Sequence, residues 1–432
     1  MRSVITAILG LTLAACQQAE APSTTEELAL QDQAGLNEIL DGYVDRGSFP
    51  FLYARLETLD GTVLYEHSAA NKALVPGDIP INGDTWIRIW SMSKIVTIST
   101  VLDLAEDGIL SLEDPITKYI PEFADLEVAV MPDGSPLLAD RDAAKTASCP
   151  LDTVALKRDI TIRDLLTHEA GFYYALTGVT CIDDGLNAAD LPKAIDSEDL
   201  IARLATLPLI QQPGDYHYGT NTTVLGLVAE RATGKSLKAL VEERITGPLN
   251  IDGLQYGKPE GVTLLPRFSG ASGALKTAER GELDIFSDNV PDYDPDHALY
   301  LGGEGMLGTA DGYTDFLRML LNRGELEGHR VLDEDTIVDL TSPQTQLDNP
   351  FGHDGYNIWV NNGKLVDGSQ GRGGLWIGGG YEGTHYWIDP ELGFVGVVMT
   401  QVFAAPSDGW TRDETFREAV YDRLVVGGER YR

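Results

Sequence analysis

Cysteine is scarce, with three in 432 residues, at positions 16, 149 and 181. That is too few for a disulfide-built scaffold, so the fold must rest on an apolar core. The seven histidines show no metal-ligand spacing, and His168-Glu169 lacks the second histidine of H-E-x-x-H. No G-x-S-x-G is present, which argues against a nucleophile on a strained strand-to-helix turn. Gly234-Lys235-Ser236 looks like the end of a phosphate loop, but the glycine needed five residues earlier is Ala229. Basic residues are few: 32 against 67 acidic, a net charge of −35. Such a surface repels nucleic acid and anionic membranes and excludes both as partners. The acidic excess is spread along the chain with no tail, a solubility or high-salt trait. No internal stretch reaches membrane-spanning length without charge.

What is present is ample for a large core: 43% hydrophobic and 8% aromatic residues, enough for two or three structural units. The chain opens on a targeting segment. Arg2 precedes an apolar run from Val4 to Leu13, and Leu13-Ala14-Ala15-Cys16 resembles a bacterial lipobox. This reads as a signal peptide over 1–15, lipidation at Cys16, and a small, polar tether over 16–26. An ordinary signal peptide cut near Ala15 is the alternative; both export the protein. The expected location is the periplasm, with a lipid anchor in the outer membrane as the sole membrane contact. In that oxidising compartment Cys149 and Cys181 are expected to pair.

Residues 27–46 have the spacing of an amphipathic helix, with Gly47 as its stop. Phe51 to Leu56 and Thr62 to Glu66 read as strands around an Asp60-Gly61 turn. From about Leu110 to Leu340 the pattern is mainly helical, as at 161–168, 224–234, 236–245 and 310–321. Two stretches rich in Asp, Pro, Gly and Ser, 125–160 and 255–300, are expected to rim a pocket. Strand patterns return at 356–360, 384–388 and 394–400, before a closing helix over 411–425. The simplest assembly is α/β (α+β). One antiparallel sheet is made by 27–108 and 341–432 together, with helices on its faces, and 109–340 is an inserted, mainly helical domain. A cleft at their junction would hold Ser91.

Trp86 to Lys94 opens an apolar run that ends at Gly108 and reads as a buried helix. Ser91 and Lys94, three apart at its start, share one face one turn apart. A serine hydroxyl is a poor nucleophile until a base takes its proton. A lysine in a desolvated pocket can be that base. The helix start offers N–H groups to a developing oxyanion. Alone, the pattern equally describes a capping serine followed by a surface lysine. Two further stretches supply partners. Tyr218, in Pro213 to Asn221, is a tyrosine that near an ammonium could ionise in part and move protons. It could also be a packed tyrosine on a turn. Gly378-Gly379-Gly380-Tyr381 precedes a strand, and its glycines let backbone pass close to a ligand. The N–H of Tyr381 could then join that of Ser91 in an oxyanion hole, the alternative being a flexible hairpin.

Together these stretches resemble the β-lactamase-related serine hydrolases, of the class C and esterase type. Ser91-x-x-Lys94 is joined by 162–171, Pro213 to Gly234, Gly302-Gly303-Glu304-Gly305-Met306, 384–390 and 397–401, in the family's order from about 35 to 425. The resemblance implies a β-lactamase and penicillin-binding-protein-like fold with no cofactor and no metal. In that family the serine attacks an acyl carbon while lysine and the motif tyrosine handle its proton. Here these would be Ser91, Lys94 and Tyr218, with Ser91, Tyr381, Gly379, Gly380 and Asn221 around the oxyanion and substrate. Two departures stand out. The tyrosine motif reads Tyr218-Gly219-Thr220, with asparagine one place late at Asn221. The third motif aligns on Gly378-Gly379-Gly380, where lactam-processing relatives open with a larger, often cationic residue. The missing cation favours a neutral ester as substrate, unless Arg88 or Arg372 replaces it. The expectation is therefore an exported carboxylesterase-type serine hydrolase acting on a small ester or amide. A β-lactamase or D-amino-acid peptidase of the same family is the alternative. A non-catalytic cell-envelope binding protein is the rival from another class.

Overall fold

A computed structural model describes residues 27–431 except 280, 283–284, 287–290, 292, 295, 348–351 and 407–408. The signal segment, the tether and Cys16 lie outside the described residues. The organising layer is an eight-stranded sheet, antiparallel throughout. Its strands are β1 (Phe51–Thr58), β2 (Val63–Ala70), β3 (Thr345–Gln346), β4 (His353–Asp354), β5 (Trp359–Val360), β6 (Trp376–Gly379), β7 (His385–Asp389) and β8 (Phe394–Met399). They stand in the order β3-β4-β5-β6-β7-β8-β1-β2, so the two ends of the chain meet where β8 pairs with β1. Every residue of β7 and β8 is buried, which is why β8 runs apolar instead of alternating.

The helices named below are α1 (Gln33–Asp45), α2 (Ser93–Glu106), α3 (Ile162–Leu166), α4 (Asn221–Thr233), α5 (Ala310–Leu321) and α6 (Gly409–Tyr421). Successive strand residues point to opposite faces, and this shows how the sheet is covered. Tyr386 meets Tyr313 of α5, ring centroids 5.7 Å apart. Its neighbour Trp387 meets Phe416 of α6 at 6.3 Å. Helices α5 and α6 therefore cover opposite faces, and α1 packs on β2 beside α6.

Several boundaries differ from the sequence reading. The helix expected over 27–46 starts at Gln33, because Leu28–Leu30 is a strand paired with Leu424–Val426. That pairing also ends the closing helix at Tyr421. The division at 108 and 340 does not follow the packing. Helix α5, from the middle of the chain, lies on the sheet, whereas α2, from the front, packs against α4. The stretch 125–160 forms a hairpin of Glu127–Val130 with Asp152–Ala155, and none of its residues lines the main cavity. Cys149 and Cys181 are joined, with Cα atoms 5.6 Å apart.

Candidate active site

Ser91 lies in a short 3-10 turn, Trp90–Met92, directly ahead of α2, not inside the helix itself. Trp90 takes a positive φ of 46° to make that turn, a conformation rare for bulky residues. In a 3-10 turn residues three apart eclipse, and Lys94 Nζ donates to Ser91 Oγ at 3.1 Å. Helix α2 is buried from Ser93 to Leu102, so the lysine is sealed from solvent.

The lysine has three other partners. Its Nζ donates to Tyr174 Oη at 2.8 Å and to the Gly303 carbonyl at 3.0 Å. It lies 3.4 Å from Glu304 Oε1. The Tyr174 hydroxyl donates to the same Glu304 oxygen. Thr223 Oγ1, on α4, donates to the other at 2.6 Å. Burial, and next the Glu304 carboxylate, hold the Tyr174 phenol well above its ordinary range, so it stays protonated. Tyr174, Thr223 and Glu304 were not picked out as site residues from the sequence. Tyr174 is one of three consecutive aromatics after Gly171, with nothing local to single it out. Glu304 did leave a signal, as an acid set among glycines and apolar residues.

Tyr218 comes to the site and lines the cavity with Ser91. Lys94 Nζ lies 5.0 Å from its ring centroid. The ring lies against His168, centroids 4.7 Å apart and planes tilted by 33°. His168 is held neutral, its ring pushed down to about 3 by burial first and by Lys94 second. Its Nδ1 accepts from Asn221 Nδ2 at 3.0 Å, which leaves the proton on the nitrogen facing Asn357 Oδ1. This corrects one expectation: Asn221 braces His168 at the buried start of α4 and does not line the cavity.

The glycine-rich strand β6 forms the opposite lip. A Cβ on Gly380 would lie 2.5 Å from the Ile89 carbonyl, so only glycine lets β6 pass this close to the turn carrying Ser91. Gly380 N–H donates to Thr384 O, and Gly383 N–H to Gly380 O, both at 2.9 Å, which places Tyr381 at the tip of a closed turn. Tyr381 packs edge-on against Trp90, ring centroids 5.4 Å apart. Gly379, Gly380 and Tyr381 all line the cavity with Ser91. Gly378 does not: its missing side chain points at Tyr386, whose ring a Cβ would meet at 2.6 Å. A larger residue at 378 would therefore enter the sheet, not the cavity. Nor does Arg88 or Arg372 replace a cation there. Arg88 donates to the Leu265 carbonyl at 2.9 Å. Arg372 pairs with Asp389 at 3.1 Å and Glu391 at 2.8 Å. The arginine that does line the cavity is Arg412, and it is paired with Asp413.

The cavity is about 560 Å³. Its walls include Leu176, Ile285, Trp359, Val402, Ala404 and Ala405, with Ser91 and Tyr218 exposed to it. Among the described residues no group of three or more His, Cys, Asp or Glu is placed to hold a metal ion. A buried lysine bonded to a serine that opens on a largely apolar cavity, beside an antiparallel sheet built from both chain ends, marks the serine-hydrolase class of the penicillin-binding architecture. The chain belongs to the beta-lactamase family, which it matches over residues 38–419. It is 29% identical over 362 residues to esterase EstB of Burkholderia gladioli, covering 80% of this chain and 84% of that one. It is 27% identical over 394 residues to the lovastatin esterase of Penicillium rubens, covering 84% and 91%. The solved structure of EstCE1, titled a hydrolase with promiscuous acyltransferase activity, superposes with a TM-score of 0.71 at 19% identity. That superposition covers 90% of this chain and 98% of the other.

Proposed function

We propose that the protein hydrolyses carboxylic esters through an acyl-enzyme on Ser91. The observation that carries this reading is the 3.1 Å contact of Ser91 Oγ with a fully buried lysine, at the side of a largely apolar cavity. The steps follow from the groups present. Tyr218 Oη, as the base, takes the hydroxyl proton as Ser91 Oγ bonds to the acyl carbon, while Lys94 stays the ammonium that donates to Ser91 Oγ. The negative charge on the carbonyl oxygen is met by the N–H groups of Ser91 and Tyr381. As that tetrahedral species collapses, the C–O bond to the alcohol breaks and the stored proton goes to the departing oxygen. A water molecule then repeats the sequence on the ester carbon, giving the acid and free Ser91. The esterase names among the relatives support an ester as the substrate.

Neutral esters suit the cavity better than anionic β-lactams. The lining arginine already pairs with Asp413, and the surface carries a large acidic excess. A substrate carboxylate without a charge-assisted hydrogen bond forgoes roughly 1.5–3 kcal/mol, about 10–100-fold in rate. The test compares kcat/KM for p-nitrophenyl butyrate and nitrocefin on one preparation, with the ester expected to be the better substrate by at least that factor. Nitrocefin turned over as well as the ester would replace this reading with the β-lactamase one.

A further inference from the structure

We propose that Glu304 is the fixed counter-charge of Lys94 and that Tyr174 couples the two, a positioning pair on which acylation of Ser91 depends. The inference rests on Ser91 and Lys94 working as proposed above.

Glu304 is fully buried. A carboxylate taken out of water is costly unless its oxygens are matched, and here both are. One accepts the Thr223 hydroxyl at 2.6 Å. The other accepts the Tyr174 hydroxyl and lies 3.4 Å from Lys94 Nζ. An ammonium has three N–H donors, and the three nearest acceptors of Lys94 are Tyr174 Oη at 2.8 Å, the Gly303 carbonyl at 3.0 Å and Ser91 Oγ at 3.1 Å. Donors and acceptors therefore match one to one, and the N–H aimed at Ser91 is fixed by where the other two must go. Tyr174 gives its proton to Glu304, so its oxygen is left to accept from Lys94. The hydroxyl is thus a one-way bridge from carboxylate to lysine.

Three further titratable groups near the pair are held neutral by burial. His168, beside Tyr218, is pushed down to about 3 by burial, with Lys94 adding to the effect. Tyr256, which meets Thr97 on α2 at 3.2 Å, and Tyr293 are both raised by burial above the ordinary phenol range. Among the described residues, Glu304 is the carboxylate in ion-pair contact with Lys94.

The experiment measures kcat and KM on p-nitrophenyl butyrate for Glu304→Gln, Glu304→Asp and Tyr174→Phe, with thermal unfolding of each and Ser91→Ala beside them. Glu304→Gln keeps the shape and removes the charge. We expect its kcat to fall about 10–100-fold, the worth of one hydrogen bond to a charged group, with KM within about two-fold. Glu304→Asp should recover part of that loss, and Tyr174→Phe should lower kcat about 10-fold while keeping both charges. A group needed only for folding would lower the unfolding temperature and the active fraction without this kcat-only pattern or the rescue. Wild-type kcat in folded Glu304→Gln overturns the proposal. Should Glu304→Gln fail to fold, Tyr174→Phe decides, and an unchanged kcat there overturns it. An inactive Ser91→Ala beside an unaffected Glu304→Gln would sink this inference alone. An active Ser91→Ala would remove the ester reading and this inference together.

Discussion

The two walls of the cavity handle their polar atoms differently. Behind Ser91, the donors of Lys94 and the oxygens of Glu304 are matched by residues from three distant parts of the chain. Across the cavity, Arg412 donates through Nε and Nη2 to Asp413 and through Nη2 to the Gly383 carbonyl. Its buried Nη1 has no hydrogen-bond partner among the described residues, and neither has Thr384 Oγ1. A buried donor left so costs about 1–3 kcal/mol, which a bound water or a polar group of a ligand offsets. Behind Ser91, Lys94 and Glu304 form a closed set fixed by its own partners. The far wall keeps hydrogen-bonding capacity open.

The largest effect that tests this contrast comes from the closed wall. Ser91→Ala should lower turnover of p-nitrophenyl acetate by at least about a thousand-fold while the unfolding temperature stays near wild type, because only the nucleophile is lost. Activity within a few-fold of wild type would break the assignment. Next is Lys94→Met, which strands the buried Glu304 carboxylate. It should cost about 3–5 kcal/mol in chemical denaturation. Adding Glu304→Gln should return much of that stability without restoring activity, since the pair is coupled. Strictly additive losses would show that the closed set is not a unit.

A smaller effect concerns pH. His168 titrates near 6.5 in the unfolded chain but only at about 3 in the folded one. Between those values the unfolded form binds the extra proton, so stability rises with pH there and falls as pH drops from 6.5 toward 3. For this one histidine the slope is about 1.4 kcal/mol per pH unit. His217, pushed down to about 4 by burial and by Arg141, adds in the same direction. Denaturation midpoints at pH 6.5, 6 and 5 should show the loss, and His168→Asn should make it shallower. Asparagine tolerates the positive φ of 57° at that position. An unchanged slope in the variant would remove His168 from this account. The smallest effect belongs to the open wall. Thr384→Val removes a buried hydroxyl without a partner among the described residues. Its stability should change by less than about 1 kcal/mol, and an increase would fit best. A larger loss would mean that the far wall is as closed as the near one.

Much of this was legible before the fold was seen, wherever the determining contacts are local. Ser91 and Lys94 lie three apart, and one turn brings them together. Thr161 and Asp164 make a reciprocal cap at the start of α3, a device of two residues three apart. Asp60-Gly61 turns β1 into β2, with Gly61 at a φ of 85°. Apolar runs at both ends of the chain are enough to propose one shared sheet, because each needs a partner to bury it. Other features depended on which distant segments meet. Tyr174 is 80 residues from Lys94 and Glu304 is 210 away, so no periodicity links them. Gly378 faces Tyr386 because strand pairing and its two-residue alternation put it on the inner side. Asn221 turns to His168 because α4 starts against the loop that holds that ring. The amino-acid sequence by itself determined the helix and strand periods, the turns and the spacing of nucleophile and lysine, all set by interactions within a few residues. Only the tertiary structure decided which carboxylate balances the lysine, which arginine reaches the cavity and which glycine faces it. Those contacts form between residues whose separation along the chain carries no record of their distance in space.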